Sequence, residues 1–418
     1  MKNENSVLLA GDMIITRKWS SIKDNNFLQL IKLIQESDVS VANLETLIHS
    51  FKGFPENCDQ GTPMASNPEI AEEIARSGFN LLAGANNHAN DYGVIGTLEN
   101  MDYVTKAGLK IAGVGRDLQE ARKPVFYENH LKYAFISAVS TFDSWAKANN
   151  STTEVAGRPG VNPVSVTAHF TLFYKIAKWV YQIFMKRGII LKSPGKLNLK
   201  LKNKNISVGK EFSGSFKPDK EDILEILEVV KAARKDADII IFSMHSHEGP
   251  RSMPPEFLRQ LACQSIDAGV DIFFSHGPHY IKGIEIYKNR PIFYSLGNFA
   301  FETETIDKLP SIYYDKWEVD YSLNAESVHR IADNEFNKIQ TYWESFVPVI
   351  KIRNKIIYEI LLYPISLGFG KSFGNKGTPY LADKITGKRI LSRVSELSIP
   401  FKTVIEYDEL TNTSTIHL

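Results

Sequence analysis

"LLAGANNHANDYG", residues 81–93, runs from two leucines and three small residues into Asn86, Asn87, His88, Asp91 and Gly93. A loop that only turned the chain would need Gly, Pro, Asn or Asp. It would not need a histidine directly after two amides. The apolar part reads as a buried strand over 79–86 that ends in a ligand-capable cluster. A helix over 94–107, stopped by Gly108, follows it.

The pattern repeats on both sides of this stretch. "SVLLAGD" (6–12) and "DVSVANLET" (38–46) read as strands ending in polar residues, with a helix over 24–36 between them. A helix over 67–78 takes Asn67 as N-cap, Pro68 at its first position and Gly78 as its stop. Further strands are "LKIAGVG" (109–115), "KYAFISAVS" (132–140), "ADIIIFSMH" (237–245) and "VDIFFSH" (270–276), with helices over 219–235 and 254–268. "IKGIEIY" and "RPIFYSLGN" follow with short turns. Two strands around a turn within 343–367, a helix over 380–397 and a closing hairpin complete the chain. Strands alternating with helices predict an α/β layered fold. The expected organisation is a single domain over 1–418 with two insertions.

Each polar cluster falls just past the carboxyl end of a predicted strand: Asp12, then Asn43 with Glu45, Asn87 with His88, His245 with His247, and His276 with His279. In α/β sheets ligand sites assemble at those ends. Five of the ten histidines fall in these stretches, far from an even scatter. Metal-assisted hydrolysis needs oxygen ligands and imidazoles in one pocket, and these residues supply them. Taken singly, each has a plainer reading: Asp12 as a cap, Glu45 as a surface charge, His88 as a core histidine. Their ordered recurrence at strand ends is what points to a shared site. His247 lies on the same side of its strand as His245, as a ligand, a substrate contact or neither. "GVGRDLQEARKP" (113–124) lacks the Gly-Lys-Ser/Thr of a phosphate loop and reads as a turn and helix cap. Its Arg116 is suited to an anionic substrate.

Composition bounds the rest. The formal net charge is +1, so no whole-chain field points to nucleic acid. Cys58 and Cys263 stand far apart and in no metal-type spacing. The N-terminal apolar run is too short for a signal peptide, and no stretch of about 18 apolar residues occurs. The expected compartment is the cytoplasm. Residues 165–205 hold nine Lys or Arg and no Asp or Glu. Phe170, Leu172, Phe173, Ile176, Trp179, Val180, Ile183 and Phe184 recur there at helical spacing, so the insertion at about 165–210 reads as a basic amphipathic helix with a basic tail. One reading lays it on an anionic membrane surface, peripheral to the bilayer, or against an anionic substrate. The other, which we prefer, docks it on the core. The insertion at about 302–338 is acidic, weakly patterned and expected at the surface.

"AGD", "ANLET", "GANNHANDYG", "AGVGRDLQEARKP" and "AGVDIFFSHGPHYIKGIEIYKNRPIFYSLGNFAF" resemble, in this order, blocks of the bacterial capsule-synthesis CapA family. The resemblance spans roughly residues 6–301, with a similar tail from about 341 to 417. It implies poly-γ-glutamate biosynthesis, a metallophosphoesterase-like four-layer α/β/β/α sandwich and a two-metal site. By this resemblance Asp12, Glu45, Asn87, His245, His276 and His279 look like metal ligands, and Asn43 stands beside them. His88 looks like the acid at the leaving group, Asp91 would orient it, and Asn298 would structure the pocket wall. Two divalent ions (Mn, Zn or Fe) would activate water for attack on a phosphoester or amide-type bond. The partner would be an anionic small molecule or a polyglutamate-like polymer. The chain departs from ordinary metallophosphoesterases: Met13-Ile14 follows Asp12 where Asp-x-His is usual, and Asn43-Leu44-Glu45 replaces Gly-Asp. It has "HSHEG" where many CapA-like chains have His-Trp-Gly. These departures keep open an alternative, a non-catalytic polymer-binding or assembly component.

Overall fold

The computed structural model describes residues 4–56, 63–173, 199–201, 204–209, 213–250, 252–332 and 335–418. Strand β1 (Glu4–Ile14) is buried along nearly its whole length, so it needs pairing on both edges and cover on both faces. β2 (Val39–Leu44), β3 (Leu81–Ala83) and β4 (Lys110–Ala112) lie beside it in that order, all parallel. Helices α1 (Asn25–Glu36), α2 (Ile70–Arg76) and α3 (Gly93–Lys106) make the three crossovers. The Asp24 side chain accepts the amides of Asn26 and Phe27 and starts α1, which then buries Phe27, Leu30 and Ile34 along one stripe.

A second sheet is built the same way. β5 (Leu131–Val139), β6 (Ile239–His245), β7 (Ile272–His276) and β8 (Arg290–Phe293) are parallel neighbours. α4 (Lys220–Ala233) and α5 (Glu256–Ala268) make its first two crossovers. β9 (Asn298–Phe301) then returns to the first sheet, parallel to β1. The hairpin of β10 (Glu344–Arg353) and β11 (Ile356–Ser366) follows. β10 pairs antiparallel to β1 only over Glu4–Leu8. From Asp12 onward β9 takes that edge, so β1 ends between two parallel neighbours, β2 and β9.

Alternation along the strands sorts the apolar side chains. Val7, Leu9, Val41 and Leu81 meet Phe135, Ile241 and Phe274 between the two sheets. Leu8, Ala10, Ala42 and Leu82 face the other way, against Leu30, Ile34 and Val104 of the helices. On the outer side of the second sheet Ile136, Ile240 and Phe242 pack on Ile226, Val230 and Leu261. Truncating a residue such as Leu9 to Ala would cost about 2–5 kcal/mol. The result is a mixed α/β fold with two facing central sheets. Among the described residues no helix is long and apolar enough to cross a membrane.

Two expectations are corrected. Phe170, Leu172 and Phe173 lie in a strand, Val166–Phe173, not a helix. It pairs antiparallel with Ser213–Pro218 and parallel with Lys204–Gly209, and β-branched Val166, Thr167 and Thr171 suit that pairing. Ile176, Trp179, Val180, Ile183 and Phe184 lie outside the described residues, as does Cys58. Asn67 does not cap α2, which starts at Ile70. Its carbonyl closes a turn with the Ile70 amide, and its side chain donates to Asp307. The 302–338 insertion carries secondary structure of its own. It folds into α6 (Ser311–Lys316) and α7 (Ala325–Ile331) around a small core of Tyr313, Tyr314 and Val328.

Candidate metal centre

The carboxyl ends of β1, β2, β6 and β7 converge at one end of the core between the sheets. Asp12 stands opposite Asn43 of β2 and Asn298 of β9, at a point where both registers shift. Such irregularities re-aim side chains. The Asp12 amide donates to the Gly297 carbonyl at 3.0 Å, and Gly11 permits that approach, since a Cβ there would lie 1.9 Å from the same oxygen. The Asp12 carboxylate is fully buried and accepts from the Asn43 amide at 2.9 Å and from the Gly277 N–H at 3.0 and 3.1 Å. His276 Nδ1 stands 3.5 Å away and His279 Nδ1 3.4 Å.

Glu45 is also fully buried beside Asp12, yet no N–H donor among the described residues reaches either of its carboxylate oxygens. Its Oε1 faces His245 Nε2 at 3.7 Å and His279 Nε2 at 3.8 Å. The imidazoles touch one another: His245 Nδ1 lies 3.0 Å from His276 Nδ1, and His245 Nε2 lies 2.9 Å from His247 Nε2. Ser243 Oγ, 2.7 Å from His276 Nε2, turns the other ring nitrogen toward Asp12. Asn298 Oδ1 meets His279 Nδ1 at 2.8 Å, on the side of the ring that also faces Asp12, and leaves Nε2 toward Glu45. His279 adopts φ +64, a left-handed backbone that costs a non-glycine residue about 1–3 kcal/mol and is found at functional sites.

Burial and charge act in opposite directions on the two acids. Burial opposes ionisation of Asp12, but the His279 hydrogen bond and the neighbouring imidazoles outweigh it and hold the carboxyl well below its ordinary range. Burial, and then the charge of Asp12, push Glu45 well above its own. Burial also lowers the imidazoles: His276 to about 4, His247 to about 3, and His245 well below its usual value. These rings are therefore neutral donors of lone pairs at neutral pH. Ligand-capable atoms form three overlapping groups, each within 4.8 Å: Asp12, His245 and His276; Glu45, His245 and His247; Asp12, Glu45 and His279.

Asn87 and His88 face the same space from the loop after β3 and line a cavity of about 490 Å³ with His247 and His279. His88 Nδ1 meets Asp91 Oδ2 at 2.7 Å, which leaves Nε2 as the atom able to give or take a proton. Sequence reasoning missed Asn86. Its amide donates to Asn43 Oδ1 and to the Leu44 carbonyl, and its Oδ1 accepts the His88 N–H, so it ties β2 to the His88 loop. Its place in the same amide-rich stretch is the signal that could have found it. Arg116 is not brought to the site: it is exposed and pairs with Glu120 at 2.7 Å.

A family model described as "Bacterial capsule synthesis protein PGA_cap" matches residues 6–303. The chain is 30% identical to uncharacterized protein y4sH of Sinorhizobium fredii, over 97% of this chain and 91% of that one. It is 25% identical to PGA biosynthesis protein CapA of Bacillus subtilis, over 71% of this chain and 63% of the relative. Against capsule biosynthesis protein CapA of Bacillus anthracis the identity is 23%, over 71% and 60%. The order of strand-end motifs, the two facing sheets and this match agree, and the chain belongs to the PGA_cap family of bacterial capsule synthesis proteins.

Proposed function

We propose that this chain is a metal-dependent hydrolase acting on a phosphoester or amide-type bond of an anionic molecule, within capsule or poly-γ-glutamate biosynthesis. The observation that carries the reading is Glu45: a fully buried carboxylate that no N–H meets among the described residues, set between two imidazoles and beside the Asp12 carboxylate. A buried carboxylate without donors is costly unless a cation meets it. The residues fit such a cation. Asp12, Glu45, His245, His247, His276 and His279 offer the mixed oxygen and nitrogen set that suits Mn, Zn or Fe, and Asn87 stands beside them. Two ions there would supply Lewis acidity, lowering the pKa of water and stabilising developing negative charge.

The protein's own groups do the rest. Asp12 is kept ionised by the His279 hydrogen bond and the imidazoles around it, and Gly277 and Asn43 donate to its oxygens. His88 holds a proton at Nε2 for the leaving group, with Asp91 fixing the ring. Asn298 and Ser243 fix the rings of His279 and His276. The four-layer α/β/β/α arrangement is part of the proposal, supported by the three apolar cores, as is a single domain with insertions.

Elemental analysis of purified protein, beside Asp12→Ala and His279→Ala, tests the reading. About two transition-metal equivalents, lost in the variants, are expected. Turnover of phosphoesters or γ-glutamyl amides should be lost with them. Protein that takes up no metal on incubation with Mn or Zn would overturn the proposal and leave a polymer-binding component.

A further inference from the structure

The cavity beside His279 has an unusual wall for a family linked to polyanions. Five lining side chains are aromatic: Tyr280, Phe301, Tyr313, Phe336 and Tyr342. Ring contacts lead away from His279 to Phe336 (6.2 Å between centroids), from Phe336 to Tyr342 (4.9 Å) and from Tyr342 to Tyr280 (6.1 Å). Among the described lining residues Lys316 is the only Lys or Arg, and no Asp or Glu occurs. His329, also in the wall, lies 3.0 Å from the Ile306 carbonyl through Nε2.

The 302–338 insertion supplies part of this wall, Thr303, Ile306, Tyr313, Lys316, His329 and Phe336, while Tyr280, Phe301 and Tyr342 come from outside it. All but Thr303 lie beyond residue 303, where the family match ends. The residues that approach the candidate metals therefore lie within the family match together with Tyr280 and Phe301 of the wall, whereas Tyr313, Lys316, His329, Phe336 and Tyr342 lie beyond it. A chain carrying one carboxylate per residue would bring several charges against aromatic rings with Lys316 alone to meet those beyond the centre, and desolvating unpaired charges is costly. A flat ring, by contrast, can stack on Phe336 and Tyr342 while one anionic group reaches Lys316 or the centre.

We infer that the site selects a small anion bearing an aromatic or heteroaromatic ring beside the bond to be cut, not an extended polyglutamate chain. The inference rests on the hydrolase reading and names its substrate class. The insertion supplies part of the specificity wall, and Phe336, 38% exposed, is its central contact.

Calorimetric titration of the full chain, loaded with Mn or Zn, tests this with ligands that cannot be hydrolysed. The probes are 1-naphthylphosphonate, ethylphosphonate and penta-γ-glutamate. The ring-bearing anion is expected to bind at least about tenfold tighter than ethylphosphonate, the factor given by about 1.4 kcal/mol. Phe336→Ala should remove most of that preference, and Phe336→Tyr should keep it. A melting curve checks that each variant is folded. Equal binding of the two phosphonates, or tighter binding of penta-γ-glutamate, overturns the inference. Ring preference in protein that takes up no metal overturns the hydrolase reading and supports the wall's assignment. Metal-dependent turnover without ring preference does the reverse.

Discussion

Asp91 Oδ2 lies 2.7 Å from His88 Nδ1 and accepts the Met64 amide at the same distance, so one oxygen anchors both the imidazole and the strand-like turn facing it. Asp91→Asn keeps an acceptor for Met64 but removes the charge that orients the ring. Turnover of 4-nitrophenyl phosphate by the metal-loaded protein should fall about 10–100-fold, in kcat more than in KM. An unchanged kcat would remove His88 from the proton transfer.

Glu45 is the residue whose loss should separate folding from binding. In metal-free protein its carboxyl is buried without an N–H donor, so Glu45→Gln should leave stability unchanged or raise it by about 1–3 kcal/mol. Metal content should fall at the same time. Paired melting and elemental analysis of the variant check both halves. A destabilised variant that still holds metal would contradict the geometry.

Gly277 holds φ +113, and a Cβ there would lie 3.1 Å from His245 Nε2. Its amide is also the Asp12 donor. Gly277→Ala should destabilise the protein by about 1–3 kcal/mol, and metal uptake should weaken as His245 and Asp12 move. Denaturant midpoints and metal titration read the two effects separately.

His49 supplies a pH dependence away from the centre. It is fully buried against Tyr92 and Phe51, and its Nδ1 accepts the Phe51 amide. Burial lowers its pKa from 6.5 to about 4, with Glu99 opposing and Lys308 assisting. The unfolded chain binds a proton near pH 6.5 and the folded one does not. This contribution to stability is therefore fully present above pH 6.5 and is lost as pH falls towards about 4, by at most about 3 kcal/mol. Urea midpoints from pH 7.5 to 4 should show the decline, and His49→Leu should flatten part of it.

Much of the candidate centre is legible in the sequence because each candidate ligand follows an apolar run. Strand alternation identifies the runs, and their carboxyl ends share one side of the fold. That logic finds Asp12, Glu45, Asn87, His88, His245, His276 and His279 without any knowledge of register. It cannot exclude Arg116, because a motif's suitability for anions says nothing about where its loop points. It misreads Val166–Phe173, since apolar residues three and four apart suit a helix, while pairing on both edges favours a strand. The 302–338 segment carries no regular period. Phe336 and Tyr313 serve a cavity whose other walls come from distant parts of the chain, so their role appears only once those walls meet.

The candidate ligands are drawn from both sheets. Asp12 ends β1, Glu45 follows β2, and His245 and His276 end β6 and β7. Ions shared among these overlapping groups would act as a rivet through the open end of the inter-sheet core. The two sheets then lose the freedom to open separately. Amide exchange in β1 and β2 should slow in step with exchange in β6 and β7 when metal is added, turning two partly independent halves into one cooperative unit.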